Sequence, residues 1–358
     1  MRIAFVGVKG INAEHNGGGA EISVREIAKR LAGKGHQVVI YCRRPKKGTV
    51  PEENLSKNIR LIYLPSLHSK NFGTLLHSLL VAVLAAFSDA DIVHFQSLGP
   101  AVFSFFPRLS GKKTIVTIHA LDWKRKKWGY LARLFLRLCE YPAIFFPHRT
   151  IVVSKTLKAY FEARFKKQVS YVPNGVNSPA PAVSFPEEDK YILFAGRLVP
   201  EKGVHYLIRA FNGLNTDFKL IIAGEPSFTG KYFDQLKRTA NQNIKFIGFA
   251  ERTSLERLYR NAYLFVLPSE IEGLSIALLE AMSHARCVLT SDIPEFLEIT
   301  GGSGIYFKSG DYLDLRDKLE YLIGNPVLVR EKGLVFRHLV LERYDWDKIA
   351  GELEKIYA

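Results

Sequence analysis

Pro268–Met282, PSEIEGLSIALLEAM, is the stretch whose reading decides the fold. The apolar run Tyr263–Leu267 precedes it and reads as a buried parallel strand, because strands covered on both faces lack polar alternation. Pro268 and Ser269 break that strand. From Gly273 onward Leu274, Leu278 and Ala281 recur at helical spacing, with Ile276 beside them. A helix opening at Gly273–Ser275 has first-turn N–H groups without intrahelical acceptors, and such an end attracts anions. Two acids flank this start: Glu272 just before it and Glu280 just over two turns along. Glu272 is either a carboxylate favoured by the helix dipole or a ligand for hydroxyls. Glu280 either lies on a solvated helix face or binds in the same way. As a pair they suit a polyhydroxylated anionic ligand, with phosphate at the N–H groups and hydroxyls at the carboxylates.

Upstream, the second half of the chain begins with a strand at Tyr191–Ala195. Gly196-Arg197-Leu198-Val199-Pro200-Glu201-Lys202-Gly203 follows, and then a helical pattern with Leu207, Ile208 and Phe211. Arg197 and Lys202 therefore flank a second strand-to-helix turn. They are either solvated there or placed to neutralise a diphosphate, Arg by its planar fork and Lys as a point charge. Further strands are expected at Lys219–Gly224, Ile244–Gly248 and Cys287–Thr290. Helices are expected at Lys231–Ala240, Ser254–Ala262, Asp311–Ile323 and Asp345–Tyr357.

The first half repeats the pattern. A strand at Arg2–Val8, a loop ending in Gly17-Gly18-Gly19, a helix at Ala20–Leu31 and a strand at His36–Tyr41 make a βαβ unit. The glycines lie at a strand's carboxyl end, where open α/β sheets bind ligands, although the loop is not G-x-G-x-x-G. More strands follow at Ile59–Leu64, Asp91–Gln96, Lys113–His119, Thr150–Ser154 and Val169–Val172. Together they predict a doubly wound parallel sheet. His119 ends the Thr114–Ile118 strand and points toward the glycine loop. Pro179, Pro181 and Pro186 mark Ser178–Asp189 as a linker between two domains, 1–178 and 179–344.

The 358 residues are enough for two cores, and 47% hydrophobic with 24% charged residues is globular. Cys42, Cys139 and Cys287 are far apart and form no C-x-x-C pair, so neither a disulfide framework nor a zinc site is suggested. The expectation is a protein of the reducing cytoplasm. Asp89-Ala90-Asp91 and Asp345-Trp346-Asp347 have D-x-D form but read as helix-end residues, and no metal site is expected. The longest apolar stretch, Leu75–Phe87, falls short of the roughly 20 residues that span a bilayer.

The net charge is +15, unevenly spread. Residues 1–180 hold 28 Lys and Arg against 10 Asp and Glu, a balance of +18. Residues 181–358 hold 22 against 25, a balance of −3. A basic first half attracts polyanions or an anionic membrane surface. Within it, Trp123-Lys124-Arg125-Lys126-Lys127-Trp128 leads into Leu131, Leu134, Phe135 and Leu138, spaced with Arg133 and Arg137. This predicts a basic amphipathic helix running on from Trp123. Its apolar side faces a membrane surface or the core, and single-stranded nucleic acid is a third reading.

The E-G-L-S-I-A-L-L-E-A-M segment resembles the E-x7-E signature of retaining nucleotide-sugar glycosyltransferases of family 4. The resemblance implies the GT-B fold: α/β, two Rossmann-like doubly wound domains facing across a cleft, with the last helix, 345–358, packed back on the first. It implies that Glu272 lies near the donor sugar and that Glu280 bonds the ribose. It also implies that Gly273, Leu274 and Ser275 carry donor phosphate, and that Arg197 and Lys202, in G-R-x-x-x-x-K-G, hold the pyrophosphate. Gly18 and Gly19 would let backbone approach the donor, and His119 would touch its sugar. Members commonly follow that histidine with Gly; here Ala120-Leu121-Asp122-Trp123 follows. Glu21, Asp122 and Trp123 are the acceptor-side candidates. The His119–Trp128 segment is also similar to bacterial rhamnosyltransferase-like members that build surface polysaccharide.

The expected activity is transfer of a hexose or deoxyhexose from a nucleotide diphosphate sugar to a lipid-linked or glycan acceptor at the inner membrane face. It needs no cofactor, no metal and no nucleic acid. The competing readings are a nucleotide-sugar 2-epimerase, for which no acid–base set is identifiable, and a basic nucleic-acid binder, which leaves the paired acids unexplained.

Overall fold

A computed structural model of the chain describes residues 1–11, 18–44, 56–65, 72–125, 128–179, 190–227 and 229–358. Gly17, Lys126, Lys127 and residues 180–189 of the expected linker lie outside the described residues. The chain divides into two compact units, Met1–Asn174 with Trp346–Ala358, and Gly175–Asp345.

The first unit is built on strands β1 (Arg2–Val6), β2 (Gln37–Arg43), β3 (Ile59–Leu64), β4 (Ile92–Gln96), β5 (Lys113–Ile118), β6 (Arg149–Val152) and β7 (Ser170–Tyr171). They form one parallel sheet in the order β3-β2-β1-β4-β5-β6-β7. Ile3 pairs with Val38 on one side and with Ile92 on the other. The chain winds outward from β1 to β3 and then returns beside β1 as β4, so the winding reverses between β1 and β4. The central strands are mostly apolar because both faces are covered: Phe5, Val6, Val93, Phe95 and Val116 are all buried, and the polar His94 and Gln96 among them are hydrogen-bonded. Helix Gly19–Gly33 buries Val24, Ala28 and Leu31. The final helix, Trp346–Tyr357, lies beside it. Arg30 Nε meets Asp347 at 2.7 Å, and Lys34 Nζ meets Glu354 at 2.6 Å. In the core, Tyr357 OH and His94 Nδ1 share a 2.7 Å hydrogen bond.

The second unit repeats the plan with β8 (Tyr191–Ala195), β9 (Lys219–Ala223), β10 (Ile244–Gly248), β11 (Leu264–Leu267), β12 (Cys287–Ser291) and β13 (Ile305–Phe307). The parallel order is β10-β9-β8-β11-β12-β13, with the reversal between β8 and β11. The expected α/β architecture of two doubly wound sheets is therefore observed.

Three local expectations change. The helix predicted to open at Gly273 begins at Ile276, because Ser275 stays extended as its N-cap and its Oγ accepts the Leu278 N–H at 3.4 Å. The basic helix predicted to run on from Trp123 is broken. Asp122–Lys124 is a single 3₁₀ turn, and extended Gly129 starts a separate helix at Tyr130–Leu138. The third change is an addition, since sequence reading placed nothing at β13 or at helix Pro326–Arg343.

Candidate active site

Ligands of doubly wound sheets gather at the carboxyl ends of the strands flanking the winding reversal. In the second unit those strands are β8 and β11, and the loops after them carry Arg197, Lys202 and Glu272. The loop after β8 is pinned along its length. Leu198 N donates to Glu225 O at 2.9 Å, and Thr229 Oγ1 donates to Leu198 O at 2.7 Å. It ends in a 3₁₀ turn, Pro200–Lys202, capped by Gly203 in the left-handed region at φ 67°. The loop after β11 lies directly on this turn: Glu270 N donates to Glu201 O at 2.9 Å. A Cβ on Gly203 would stand 1.9 Å from the carbonyl oxygen of Pro268, so only glycine permits the approach.

That approach brings Lys202 and Glu272 together. Lys202 Nζ donates to Glu272 Oε1, with the side chains 14% and 10% exposed. Ser269 Oγ donates to the same oxygen at 2.7 Å. An ammonium has three donors, so Lys202 keeps capacity for a second anion. Arg197 follows Gly196 at the end of β8 and is half-buried. Gly273, Leu274 and Ser275 are buried and lead into helix Ile276–Ser283. Glu280 is not on a solvated face: its side chain is 7% exposed, and Arg252 Nη1 donates to its Oε1. Burial, with the charge of Glu280 added to it, pushes the neighbouring Tyr259 phenol far above its usual range.

In the first unit, Gly18 is the extended N-cap of helix Gly19–Gly33, and Gly19 is exposed. The Glu21 carboxylate turns back to the backbone, accepting the N–H groups of Gly18 at 3.1 Å and Lys9 at 3.5 Å. It closes a capping arrangement at the glycine loop. His119 stands just beyond β5, its Nε2 2.8 Å from Gln96 Oε1. Burial lowers its pKa to about 4, against a smaller opposing pull from Asp122, so the ring is neutral at physiological pH. Asp122 pairs with Arg125 at 3.4 Å. Trp123 donates its indole N–H to Glu140 Oε1 at 2.7 Å. Glu140 is fully buried and also meets Arg164 Nε at 3.0 Å and the Tyr160 hydroxyl at 3.1 Å. Lys124 is exposed, whereas Arg125 and Trp128 are half-buried.

Sequence reading missed Ser269, Arg252, Gln96 and Glu140. Ser269 alone had a local signal, lying three residues before Glu272. The others meet their partners only through the fold. The D-x-D acids are occupied, since Asp89 and Asp91 pair with Arg2 at 3.1 and 3.4 Å and Asp347 with Arg30. Among the described residues no group of three or more His, Cys, Asp and Glu could hold a metal ion.

Two family models match the chain: Glycosyltransferase Family 4 over residues 17–178 and Glycosyl transferases group 1 over residues 180–333. A phosphatidyl-myo-inositol mannosyltransferase of Mycobacterium leprae is 25% identical, covering 95% of this chain and 92% of that protein. Among solved structures, a sucrose-phosphate synthase from Thermosynechococcus elongatus superposes with a TM-score of 0.86 at 21% identity, over 99% of this chain and 98% of that one. Anabaena HepE, solved with UDP and glucose, gives 0.80 at 17% identity over 100% and 99% of the two chains. The loops after β8 and β11, carrying Arg197, Lys202 and Glu272, lie within the group 1 match, and His119 lies within the family 4 match. The chain is thus a hexosyltransferase-type glycosyltransferase in the superfamily of family 4 and group 1, moving a sugar to an acceptor on the GT-B fold.

Proposed function

We propose that the enzyme transfers a hexose or deoxyhexose with retention of anomeric configuration to a hydroxyl of a lipid-linked glycan, in assembly of cell-surface polysaccharide or glycolipid. Residues 179–344 would bind the donor. Residues 1–178, with helix 345–358, would bind the acceptor through Glu21, Asp122 and Trp123. The observation that carries the reading is the nearly buried meeting of Lys202 and Glu272 where β8 and β11 end. Lys202 and Arg197 neutralise the diphosphate, Glu272 holds the sugar and Glu280 holds the ribose. Gly18, Gly19 and His119 meet the sugar end of the donor. The acceptor hydroxyl oxygen bonds to the anomeric carbon as the carbon–phosphate oxygen bond breaks, and its proton passes to the departing phosphate. Charge growing on that phosphate is met by Arg197, Lys202 and the N–H groups at Gly273–Ser275 rather than by a metal ion.

The acceptor would be presented at the cytoplasmic face of an anionic membrane. Support comes from the +18 balance of residues 1–180 and from helix Tyr130–Leu138, which buries no residue and leaves Tyr130 and Leu131 80% and 79% exposed. Trp123–Trp128 leads into that helix. No helix among the described residues is long and apolar enough to cross a membrane. The deciding experiment is Arg197→Ala, assayed with purified nucleotide sugars and lipid-linked acceptors. Turnover should fall by about a hundredfold or more, the scale of losing one charge-stabilising group; turnover equal to the unaltered enzyme would reject the diphosphate role.

A further inference from the structure

We propose that Arg252 is a positioning residue for donor binding, holding one oxygen of Glu280 so that the other is turned toward the ribose hydroxyls. The inference rests on the ribose role proposed for Glu280.

Arg252 begins helix Arg252–Asn261, and its guanidinium bridges two carboxylates. Nη1 donates to Glu280 Oε1, and Nε donates to Glu256 Oε1 at 2.8 Å. The two acids differ in setting: the Glu280 side chain is 7% exposed, while Glu256 is 42% exposed. Glu256 therefore steadies the outer side of a planar fork whose inner nitrogen fixes the buried acid. The terminal torsion of a glutamate is broad, so a carboxylate held by nothing else samples many orientations. A charge-assisted bond to a guanidinium that is itself anchored removes that freedom. The pair is not sealed off. Arg252, Glu256 and Glu280 line a cavity of about 180 Å³ with Arg260, Ser283 and His284. Arg252 bonds only Oε1 of Glu280, and the buried Tyr259 phenol is another neighbour of the carboxylate; the remaining acceptor capacity can take a sugar hydroxyl while Oε1 stays fixed.

A purely structural ion pair would make the same contacts, so the test must read ribose recognition itself. Isothermal titration would compare UDP, GDP and dTDP with their 2′,3′-dideoxy forms on the full-length enzyme. Glu280→Gln should erase the preference for the hydroxylated nucleotide. Arg252→Gln should lower that preference about tenfold, the scale of one charge-assisted hydrogen bond, and leave affinity for the dideoxy form unchanged. In turnover the loss should fall on the donor KM rather than on kcat. Arg252→Lys keeps the charge but cannot bridge both acids, and should recover part of the preference. Glu256→Gln loosens the anchor without touching Glu280 and should give a smaller drop, which keeps the test open if Arg252→Gln fails to fold. If Glu280→Gln erases the preference while the Arg252 and Glu256 variants keep it, Arg252 has no positioning role. If Glu280→Gln also keeps it, the ribose role of Glu280 fails and the inference with it.

Discussion

Replacing Gly203 with alanine tests the contact that brings Lys202 to Glu272. Two costs add. Gly203 lies at φ 67°, where an L side chain costs about 1 kcal/mol. Its new Cβ would also meet the Pro268 carbonyl oxygen at 1.9 Å, well inside contact distance, and backbone cannot rotate away as a side chain can. Forcing the loops after β8 and β11 apart is an overpacking cost of about 1–3 kcal/mol. Gly248 separates the two terms. It has nearly the same φ, 68°, but nothing within 4 Å of the added Cβ. Gly248→Ala should therefore lose only about 1 kcal/mol, and Gly203→Ala about 2–4 kcal/mol. At roughly 2–4 °C per kcal/mol, the second variant should melt several degrees below the first. A displacement of 1 Å at Lys202 should lower kcat/KM about a hundredfold. Calorimetry and donor turnover on both variants decide the matter. Equal melting temperatures, or full activity in Gly203→Ala, would show that the close approach does not hold the site.

Acid should weaken the fold through its buried histidines, with His94 and His284 adding to His119. Burial lowers the His94 pKa to about 3 and that of His284 to about 4. The unfolded chain protonates both below about pH 6.5, so it binds more protons than the folded chain from there down to about pH 4. Stability should be intact above that window and fall through it by up to about 1.4 kcal/mol per pH unit for each ring. Burial raises the Glu140 pKa and works in the opposite sense, so His94→Gln isolates the histidine contribution. Urea midpoints at pH 7.5 and 5.5 should differ less in that variant than in the unaltered protein. The exposed face of helix Tyr130–Leu138 gives a further expectation. Replacing Leu131, Leu134 and Leu138 together with serine should lower flotation on anionic vesicles without lowering the melting temperature. Equal recovery on neutral and anionic vesicles would end the electrostatic part of that reading.

Strands were the most legible part of the sequence. Ile59–Leu64, Tyr191–Ala195 and Ile244–Gly248 are observed with the expected bounds, because parallel strands read as apolar runs closed by turn residues. Strand β13 escaped because three residues, of which only Phe307 is buried, give no period to detect. Helix Pro326–Arg343 escaped for a different reason. Its buried stripe is Val329, Gly333, Phe336 and Val340, and Gly333 is there to admit the backbone at Ala285, whose carbonyl oxygen would lie 2.1 Å from an added Cβ. A glycine in a narrow stripe lowers both helix propensity and apolar periodicity. The site divides in the same way. Lys202 and Glu272 each sit at a strand-to-helix turn that is readable locally, but they are 70 residues apart and nothing in either turn announces the other. The solvated face remained one of two readings for Glu280 because a helix pattern cannot reveal Arg252, 28 residues upstream, bonded to it.

The break at Gly129 matters for how the first unit meets its surroundings. A continuous basic helix from Trp123 would have carried its aromatic and cationic residues outward together. Trp123 is drawn inward by a carboxylate that has no access to water, and Glu140 satisfies its charge on Trp123, Tyr160 and Arg164 at once. Arg137, on the far side of the break, lies over the Trp123 ring with 5.3 Å between its guanidinium carbon and the ring centroid. A buried charge missing one partner costs about 3–5 kcal/mol, so this network resists rearrangement. Through Arg137 it also ties helix Tyr130–Leu138 to the Trp123 ring. The apolar side of that helix has no core to face, which is why Tyr130, Leu131, Leu134 and Leu138 remain exposed beside Arg133 and Arg137. Glu140, which no sequence pattern singled out, thus holds together the turn and helices from which the exposed apolar side chains of Tyr130–Leu138 project.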